Sequence, residues 1–292
     1  MDSILTLIAA DRLDDSMLSA VREVLPQSAA PVWLAPGKAA DIAFDGLSEA
    51  EATRRARETL NGAAVDLVGQ AAAGRRKKLL VADMDSTMVI GETLDELAAH
   101  AGLKEQIAEI TARAMNGEID FKGALRERVG LLAGLAATAL DETYRHLELM
   151  PGAATLVATM KAHGAKTVLV SGGFDFFTSR VRERCGFDED RANRLEMADG
   201  KLTGQVLDPI LDRDAKLAHL RDFAGLLGLA RHETLAVGDG ANDLDMIRAA
   251  GLGVAYHAKP VVAGEAKFRV DHADLTALLY AQGYTEAEFV SG

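Results

Sequence analysis

Short apolar runs that alternate with amphipathic helical segments constrain the fold of this chain more than any other feature. From Lys78 onward, runs such as "KLLVADMD", "KTVLVSGG" and "ETLAVGDG" each precede a segment with helical periodicity. Strands that are apolar on both faces are typical of a parallel sheet covered by helices. We therefore predict an α/β fold with a doubly wound parallel sheet.

Two parts of the chain depart from this alternation. Residues 92 to about 146 have helical periodicity throughout and no convincing strand, so we predict a helical cap inserted at about residues 92–148 of a core domain that spans residues 77–292. Residues 1–73 read as strand, helix, strand, strand, helix and a possible final strand, which predicts a separate small α+β domain.

The basic cluster "GRRKK", residues 74–78, follows the small domain. A run of like charges is usually a solvated segment. We therefore expect a solvated hinge between the two domains.

Composition excludes several classes of function. The net charge of −12 argues against a nucleic-acid partner, and the longest apolar runs are far shorter than the ~20 residues of a membrane helix. The N-terminus lacks the basic start of a signal peptide, so we expect a cytoplasmic protein without membrane contact. The single cysteine, Cys185, excludes an internal disulfide and is expected to be an inert, packed thiol.

Polar side chains collect where the predicted strands end. In open α/β sheets the carboxyl ends of the strands form the ligand site, so we expect these residues to meet at one edge, together with a lysine near the start of a later helix: Asp83, Asp85, Ser171, Gly172, Lys216, Asp239, Asn242 and Asp243.

Such a cluster suits phosphoryl chemistry. Several carboxylates cannot stay ionised together without a counter-charge, and hard oxygen ligands favour magnesium over zinc. A serine hydroxyl, backbone amides and a lysine can bind a phosphate group. One aspartate can attack phosphorus, and a second can protonate the leaving oxygen.

The four motifs "DMDST", "SGG", Lys216 and "GDGAND" together resemble the haloacid dehalogenase superfamily of phosphohydrolases. The resemblance implies that Asp83 is the nucleophile and Asp85 the general acid/base. It also implies a magnesium ion held by the side chains of Asp83 and Asp239 and the backbone carbonyl of Asp85, with Asp243 in support. The phosphoryl group would be bound by Ser171, Gly172, Lys216 and Asn242.

Further stretches, among them "AMNGEIDFKGALRERV" in the cap, resemble the branch of this superfamily that hydrolyses O-phosphoserine. The resemblance implies that Arg128 pairs with the substrate carboxylate and that Glu92 faces its ammonium group. Met115 and Phe121 would form an apolar wall. By pattern alone, charged residues on amphipathic helices usually face water.

Other functions stay open at this point. A related phosphatase could act on another small phosphate, or a phosphotransferase could pass phosphate to an alcohol such as homoserine. A receiver domain also carries an acceptor aspartate, a lysine and magnesium, but it lacks the D-x-D pair and the cap. The small N-terminal domain resembles ACT-like domains and carries no binding motif, so serine sensing, formation of a homodimer and simple packing all remain possible.

Overall fold

Two β-sheets organise the chain, one formed by its first 71 residues and the other beginning at Leu79. The computed structural model describes residues 1–115 and 118–292, and it describes Met115 by its backbone only. Among the helices of these residues, none has both the length and the apolar character that crossing a membrane requires.

The N-terminal unit, residues 3–71, has the order β-α-β-β-α-β. Its elements are β1 Ser3–Ala9, α1 Asp15–Val24, β2 Val32–Ala35, β3 Ala39–Phe44, α2 Glu49–Leu60 and β4 Val65–Ala71. The strands form an antiparallel sheet in the order β2-β3-β1-β4, the ferredoxin-like arrangement. The strands and helices predicted for this segment are confirmed, and the relation to ACT-like domains stays a prediction.

The core sheet has seven strands in the order β11-β10-β9-β5-β6-β7-β8. These are β5 Leu79–Ala82, β6 Lys166–Phe174, β7 Glu189–Ala198, β8 Lys201–Leu207, β9 Thr234–Gly238, β10 Leu252–Tyr256 and β11 Phe268–Val270. The helices that connect and follow them are α7 Ala153–Ala162, α8 Asp175–Cys185, α9 Arg213–Leu226, α10 Leu244–Ala249, α11 Pro260–Glu265 and α12 Ala277–Ala281.

The predicted parallel sheet is confirmed, with one antiparallel strand at its edge. Strand β8 pairs antiparallel with β7 through a tight turn at Asp199 and Gly200, both of which have positive φ. Two-residue turns of this kind match the twist of the flanking strands.

Cys185 ends α8 and is buried, and burial raises the pKa of its thiol to about 12, in agreement with an inert role.

The segment between β5 and α7 is helical, as predicted. The helices are α3 Thr93–His100, α4 Lys104–Met115, α5 Phe121–Gly130 and α6 Thr138–Arg145. The chain between α5 and α6 pairs with the β7–β8 hairpin: the Gly134 amide donates to the Leu202 carbonyl and the Ala137 amide to the Gly200 carbonyl, each at 2.8 Å. Helix α5 therefore has a fixed connection to the edge of the core sheet.

The expectation of a solvated hinge is wrong for Arg75 and Lys77. The Arg75 guanidinium is 11% exposed and forms an ion pair with Asp41 at 2.7 Å. The Lys77 ammonium donates to the carbonyls of Gly74 and His232, and burial lowers the pKa of this lysine to about 8. Both cations lie at the contact between the N-terminal unit and the core. Backbone carbonyls and the Asp41 carboxylate accept their hydrogen bonds there. The domain limits 1–73 and 77–292 stay predictions.

The N-terminal sheet is buried on both faces. One face packs on α1 and α2 through residues such as Leu7 and Ile42, and the other contributes Ile8 and Val68 to the main apolar cluster of the core, which includes Tyr280. This unit is therefore packed against the core by an apolar surface.

We expect the Asp41–Arg75 ion pair to contribute strongly to stability. Asp41→Ala leaves the buried guanidinium without its carboxylate, and the free energy of unfolding should fall by about 3–5 kcal/mol. Lys38→Ala is the control, because Lys38 and Glu286 form an exposed ion pair between the same two parts of the chain, which should contribute at most about 1 kcal/mol. Urea unfolding measures both, and equal losses would contradict the prediction.

Candidate active site

The candidate site lies where β9, β5 and β6 end side by side. Strand β5 pairs in parallel with both neighbours, and the Asp83 amide continues the ladder by donating to the Val237 carbonyl at 3.0 Å. Asp83 and Asp239 directly follow two of these strands, and Ser171 lies near the end of the third. This is the point where the chain turns to opposite sides of the sheet, which is where open α/β folds bind ligands.

Three buried carboxylates form what we call the acidic cluster: Asp83, Asp239 and Asp243. Their ligand atoms lie within 4.8 Å of one another. A Cβ at Gly238 would collide with the Asp243 side chain, so only glycine leaves space for that carboxylate beneath the strand end. The Gly240 amide donates to Asp243 Oδ2 at 3.0 Å. The cluster could hold a metal ion.

Lys216 lies against this cluster, in the first turns of α9. Its Nζ is 2.6 Å from both Asp83 Oδ1 and Asp243 Oδ1, and the side chain is 1% exposed. Burial alone would lower the pKa of this lysine, but the charges of Asp243 and Asp83 outweigh burial and raise it. Lys216 is therefore a permanent cation. Its position depends on the N-cap of α9, where the Asp212 carboxylate accepts from the amides of Asp214 and Ala215.

Three carboxylates and one ammonium leave the site with excess negative charge. Burial, and then the charge of Asp243, raise the pKa of Asp83 in opposition to Lys216. Burial and Asp243 raise the pKa of Asp239 to about 6. A divalent cation among these oxygens would remove the repulsion, so the donor set fits a hard metal ion such as magnesium.

Asp85 lies apart from the acidic cluster and has different partners. Its Oδ1 accepts from the Thr93 amide at 2.8 Å, and the Ser171 hydroxyl donates to its Oδ2 at 3.4 Å. Burial, and then the charge of Glu92, raise the pKa of Asp85 to about 7. A carboxyl group with such a pKa can both give and take a proton near neutrality. The predicted metal contact of Asp85 through its backbone carbonyl stays a prediction.

Residues Ser171–Gly173 form a bulged loop within β6, because the regular pairing of β6 with β7 is interrupted between Val170 and Phe174. The buried Ser171 Oγ accepts from the Gly173 amide at 2.9 Å. A Cβ at Gly173 would lie 2.9 Å from Asp85 Oδ2, closer than a side chain permits. The loop thus places a hydroxyl and backbone amides beside the D-x-D pair, as a phosphate site requires.

Asn193 is a structural partner of this site to which the sequence pattern assigns no role. Its Nδ2 donates to the Gly172 carbonyl at 2.8 Å, and its Oδ1 accepts from the Leu211 amide at 2.6 Å. It therefore connects the Ser171–Gly173 loop to the segment that precedes Lys216. The stretch "ANRLEMADGKLTG" contains Asn193, but the sequence does not show its role. The interrupted β6–β7 pairing leaves backbone groups without strand partners, and the Asn193 amide donates a hydrogen bond to the Gly172 carbonyl.

The cap brings some of its predicted residues to this edge. The Phe121 ring lies over the loop, with its Cζ 3.4 Å from where a Cβ at Gly172 would be. Glu92, exposed at the start of α3, accepts from the Ser86 hydroxyl at 2.9 Å, and its charge acts on Asp85. Asn242 is half-buried beside Gly240. The Met115 side chain lies outside the described residues.

Arg128 is half-buried in the cap and lacks an ion pair with any side chain that the structure describes. Its Nε donates to the Ala124 carbonyl of its own helix at 3.3 Å. Burial lowers the pKa of this guanidinium, and the charges of Asp95 and Glu92 act in the opposite direction. The roles predicted for Arg128 and for the other site residues stay predictions.

Comparison with known proteins places these motifs in a family. The sequence profile of the haloacid dehalogenase-like hydrolases matches residues 80–248. A phosphoserine phosphatase of Streptomyces coelicolor is 44% identical over 256 residues, which are 87% of this chain and 62% of that protein. A phosphoserine phosphatase of Polaromonas sp. is 48% identical over 69% of this chain and 88% of its own length.

A solved structure extends the similarity to the N-terminal unit. A HAD family hydrolase from Salmonella enterica serovar Typhi has a TM-score of 0.86 and 31% identity, and the match covers 97% of this chain and 99% of that one. The chain therefore shares both of its sheets with a solved hydrolase, although it spans less than two thirds of the Streptomyces relative.

The raised pKa of Asp85 predicts a pH-dependent stability in the metal-free protein. Between about pH 4 and pH 7 the folded state holds a proton that the unfolded state has lost, so this group lowers the free energy of unfolding as pH rises. In chelator, the free energy of unfolding of Asp85→Asn should equal that of wild type near pH 4. At pH 8 it should be higher than that of wild type by at least about 1 kcal/mol. Chemical denaturation at both pH values checks this, and a difference that does not change with pH would contradict it.

Proposed function

The chain belongs to the haloacid dehalogenase-like hydrolases, and we propose that it is a magnesium-dependent phosphatase that converts O-phosphoserine to serine and phosphate. The observation that supports this substrate most directly is Arg128, a half-buried guanidinium without a carboxylate partner among the described side chains. Such a group is suited to an anionic ligand, and a planar guanidinium matches a carboxylate.

Asp83 is the proposed nucleophile. It follows β5 at the centre of the core sheet, and Lys216 neutralises one of its oxygens. Attack of the carboxylate on phosphorus forms an aspartyl-phosphate and releases the serine oxygen. Lys216, the Ser171 hydroxyl and the Gly172 amide would hold the phosphoryl oxygens, and Asn242 would donate a further hydrogen bond.

Asp85 is the proposed proton donor and acceptor. In its protonated form it gives the proton to the departing serine oxygen, and the resulting carboxylate then takes a proton from the water that cleaves the aspartyl-phosphate. A pKa of about 7 suits both steps near neutral pH. The Thr93 amide fixes one carboxyl oxygen, which leaves the other directed to Ser171.

Magnesium is the proposed metal, held by Asp83 and Asp239 with the backbone carbonyl of Asp85 and supported by Asp243. The ligand atoms of the acidic cluster are close enough for one ion, and their oxygen-only chemistry suits a hard cation. When bound, such an ion would neutralise charge on the phosphoryl oxygens and so ease attack by a carboxylate.

The cap is proposed to recognise the amino-acid part of the substrate. Glu92 and Arg128 lie close enough for the carboxylate to affect the guanidinium pKa, and Glu92 also acts on Asp85. An ammonium and a carboxylate on one carbon atom would meet this pair of opposite charges beside the proton donor. Phe121 would close the pocket over Gly172, and the same role is proposed for Met115.

Alternative substrates fit less well. A sugar phosphate has no charged groups to pair with Glu92 and Arg128. A phosphotransferase to homoserine would use the same core residues, so only the fate of the phosphate distinguishes it. The receiver-domain alternative is disfavoured by membership of a hydrolase family and by the presence of the helical cap.

The first test is phosphate release from a panel of phosphorylated small molecules. We expect O-phosphoserine to give the highest kcat/KM, chelator to abolish turnover and magnesium to restore it. Calcium should fail to restore turnover, because its looser coordination disturbs the required geometry. Preference for a sugar phosphate, full activity in chelator, or transfer of the phosphate to homoserine in place of water would refute the proposal.

The second test separates substrate recognition from cap stability. Removing one partner of a desolvated charge pair costs about 2–5 kcal/mol, so Arg128→Ala should lower kcat/KM for O-phosphoserine by roughly 30-fold to several thousand-fold. It should change hydrolysis of a neutral aryl phosphate little. Arg126→Ala is the control, because Arg126 lies on the same helix and pairs with Asp208 at the surface. An equal loss on both substrates would mean that Arg128 only supports the cap.

A further inference from the structure

Asp66 connects the N-terminal unit to the core through an unusual set of hydrogen bonds. It lies in β4, is 4% exposed, and points its carboxylate at the turn that follows β11. Its Oδ1 accepts from the Asp271 amide at 2.8 Å, and its Oδ2 accepts from the amides of His272 at 3.2 Å and Ala273 at 2.9 Å. Successive backbone amides of this kind form an anion-binding concavity, and here a carboxylate of the same chain fills it.

The turn that Asp66 holds is in contact with His257. The His257 amide donates to the Val270 carbonyl at 2.8 Å, and its ring Nε2 lies 2.9 Å from the Ala273 carbonyl. His257 has φ +43°, in the left-handed region that residues other than glycine seldom adopt. Such a conformation persists only where surrounding contacts determine it. One hydrogen bond of His257 goes to Val270, just before the turn that Asp66 holds, and the other goes to Ala273 within that turn.

The loop from His257 to Lys259 returns to the acidic cluster. The Lys259 amide donates to the Asp239 carbonyl at 3.3 Å, and Lys259 is the N-cap residue of α11. The backbone of Asp239 is thus held by a contact with Lys259, and Lys259 lies two residues after His257. Hydrogen bonds and the short segment from His257 to Lys259 thus connect β4 of the N-terminal unit to the backbone carbonyl of Asp239, whose carboxylate belongs to the acidic cluster.

We propose that Asp66 is a positioning residue for the active site, through which the N-terminal unit sets the geometry of Asp239. Some residues orient a metal ligand without contacting the metal themselves. Mutation of such a residue typically lowers metal affinity or activity. The N-terminal unit then has a role in catalysis although it contributes no group to the acidic cluster. This inference rests on the proposed function for its choice of substrate.

Asp66→Asn keeps the size of the side chain but loses its charge and replaces one acceptor oxygen by a donor. We expect kcat for O-phosphoserine to fall by about 10-fold and the magnesium affinity, measured by titration calorimetry without substrate, to weaken by about the same factor. KM should change little, because the cap is untouched. Gln70→Ala is the matched control: Gln70 is buried in the same strand and donates to the Ala281 carbonyl at 2.6 Å, away from His257.

The double variant Asp66→Asn/His257→Asn tests the route. Asparagine tolerates the left-handed backbone but its shorter side chain does not reach the Ala273 carbonyl. If Asp66 acts through His257, the double variant should lose no more kcat than the more affected single variant. Losses that multiply would overturn this route.

Two other results would overturn the proposal itself. One is wild-type kcat and magnesium affinity in Asp66→Asn. The other is an equal loss of both in Gln70→Ala when the two variants have lost comparable stability by thermal unfolding, since Asp66 would then only join two parts of the chain. A wild-type protein inactive on O-phosphoserine would refute the proposed function, and the magnesium titration would still decide the role of Asp66.

Discussion

The contact of Lys216 with Asp83 and Asp243 is the interaction on which the site depends. Without this ammonium, three carboxylates could not share a buried strand edge in their ionised forms, because each would raise the pKa of the others. Its position requires the N-cap of α9 and the Asn193 contacts just before that helix. This edge of the sheet is therefore assembled by charge balance between elements that are far apart in sequence.

Charge interactions also link the core to the cap. Glu92 acts on Asp85 and on Arg128, so one exposed carboxylate affects both the proposed proton donor and the residue proposed to bind substrate. Placement of the cap between β5 and α7 makes this possible, because the chain leaves the sheet directly after the D-x-D pair and turns into α3 within a few residues. Glu92, one of the proposed substrate-binding residues, is thus close to the proposed proton donor Asp85 in sequence as well as in space.

The strand ends of the core could be predicted because short runs that are apolar on both faces indicate parallel strands. The residues that follow such strands must meet at one edge of the sheet. An interruption of that alternation predicts the cap. What the pattern could not show was contact between distant polar groups. Arg75 belongs to a basic run for which the sequence predicts a solvated segment, but its guanidinium is largely buried and forms an ion pair with Asp41. Asp66 and Asn193 look like ordinary polar residues of strands, because their partners are backbone groups that only the fold brings near.

The two borders of the core sheet are covered by chain segments that are not part of it. The stretch after α5 pairs with the hairpin at β8, and β4 of the N-terminal unit lies beside β11, where Asp66 occupies the amides of the following turn. An exposed sheet edge is a template on which further chains can add strands and aggregate. In this chain the cap and the N-terminal unit therefore also act as protective ends, and a fragment that lacks either of them would expose a border at which neighbouring molecules could polymerise.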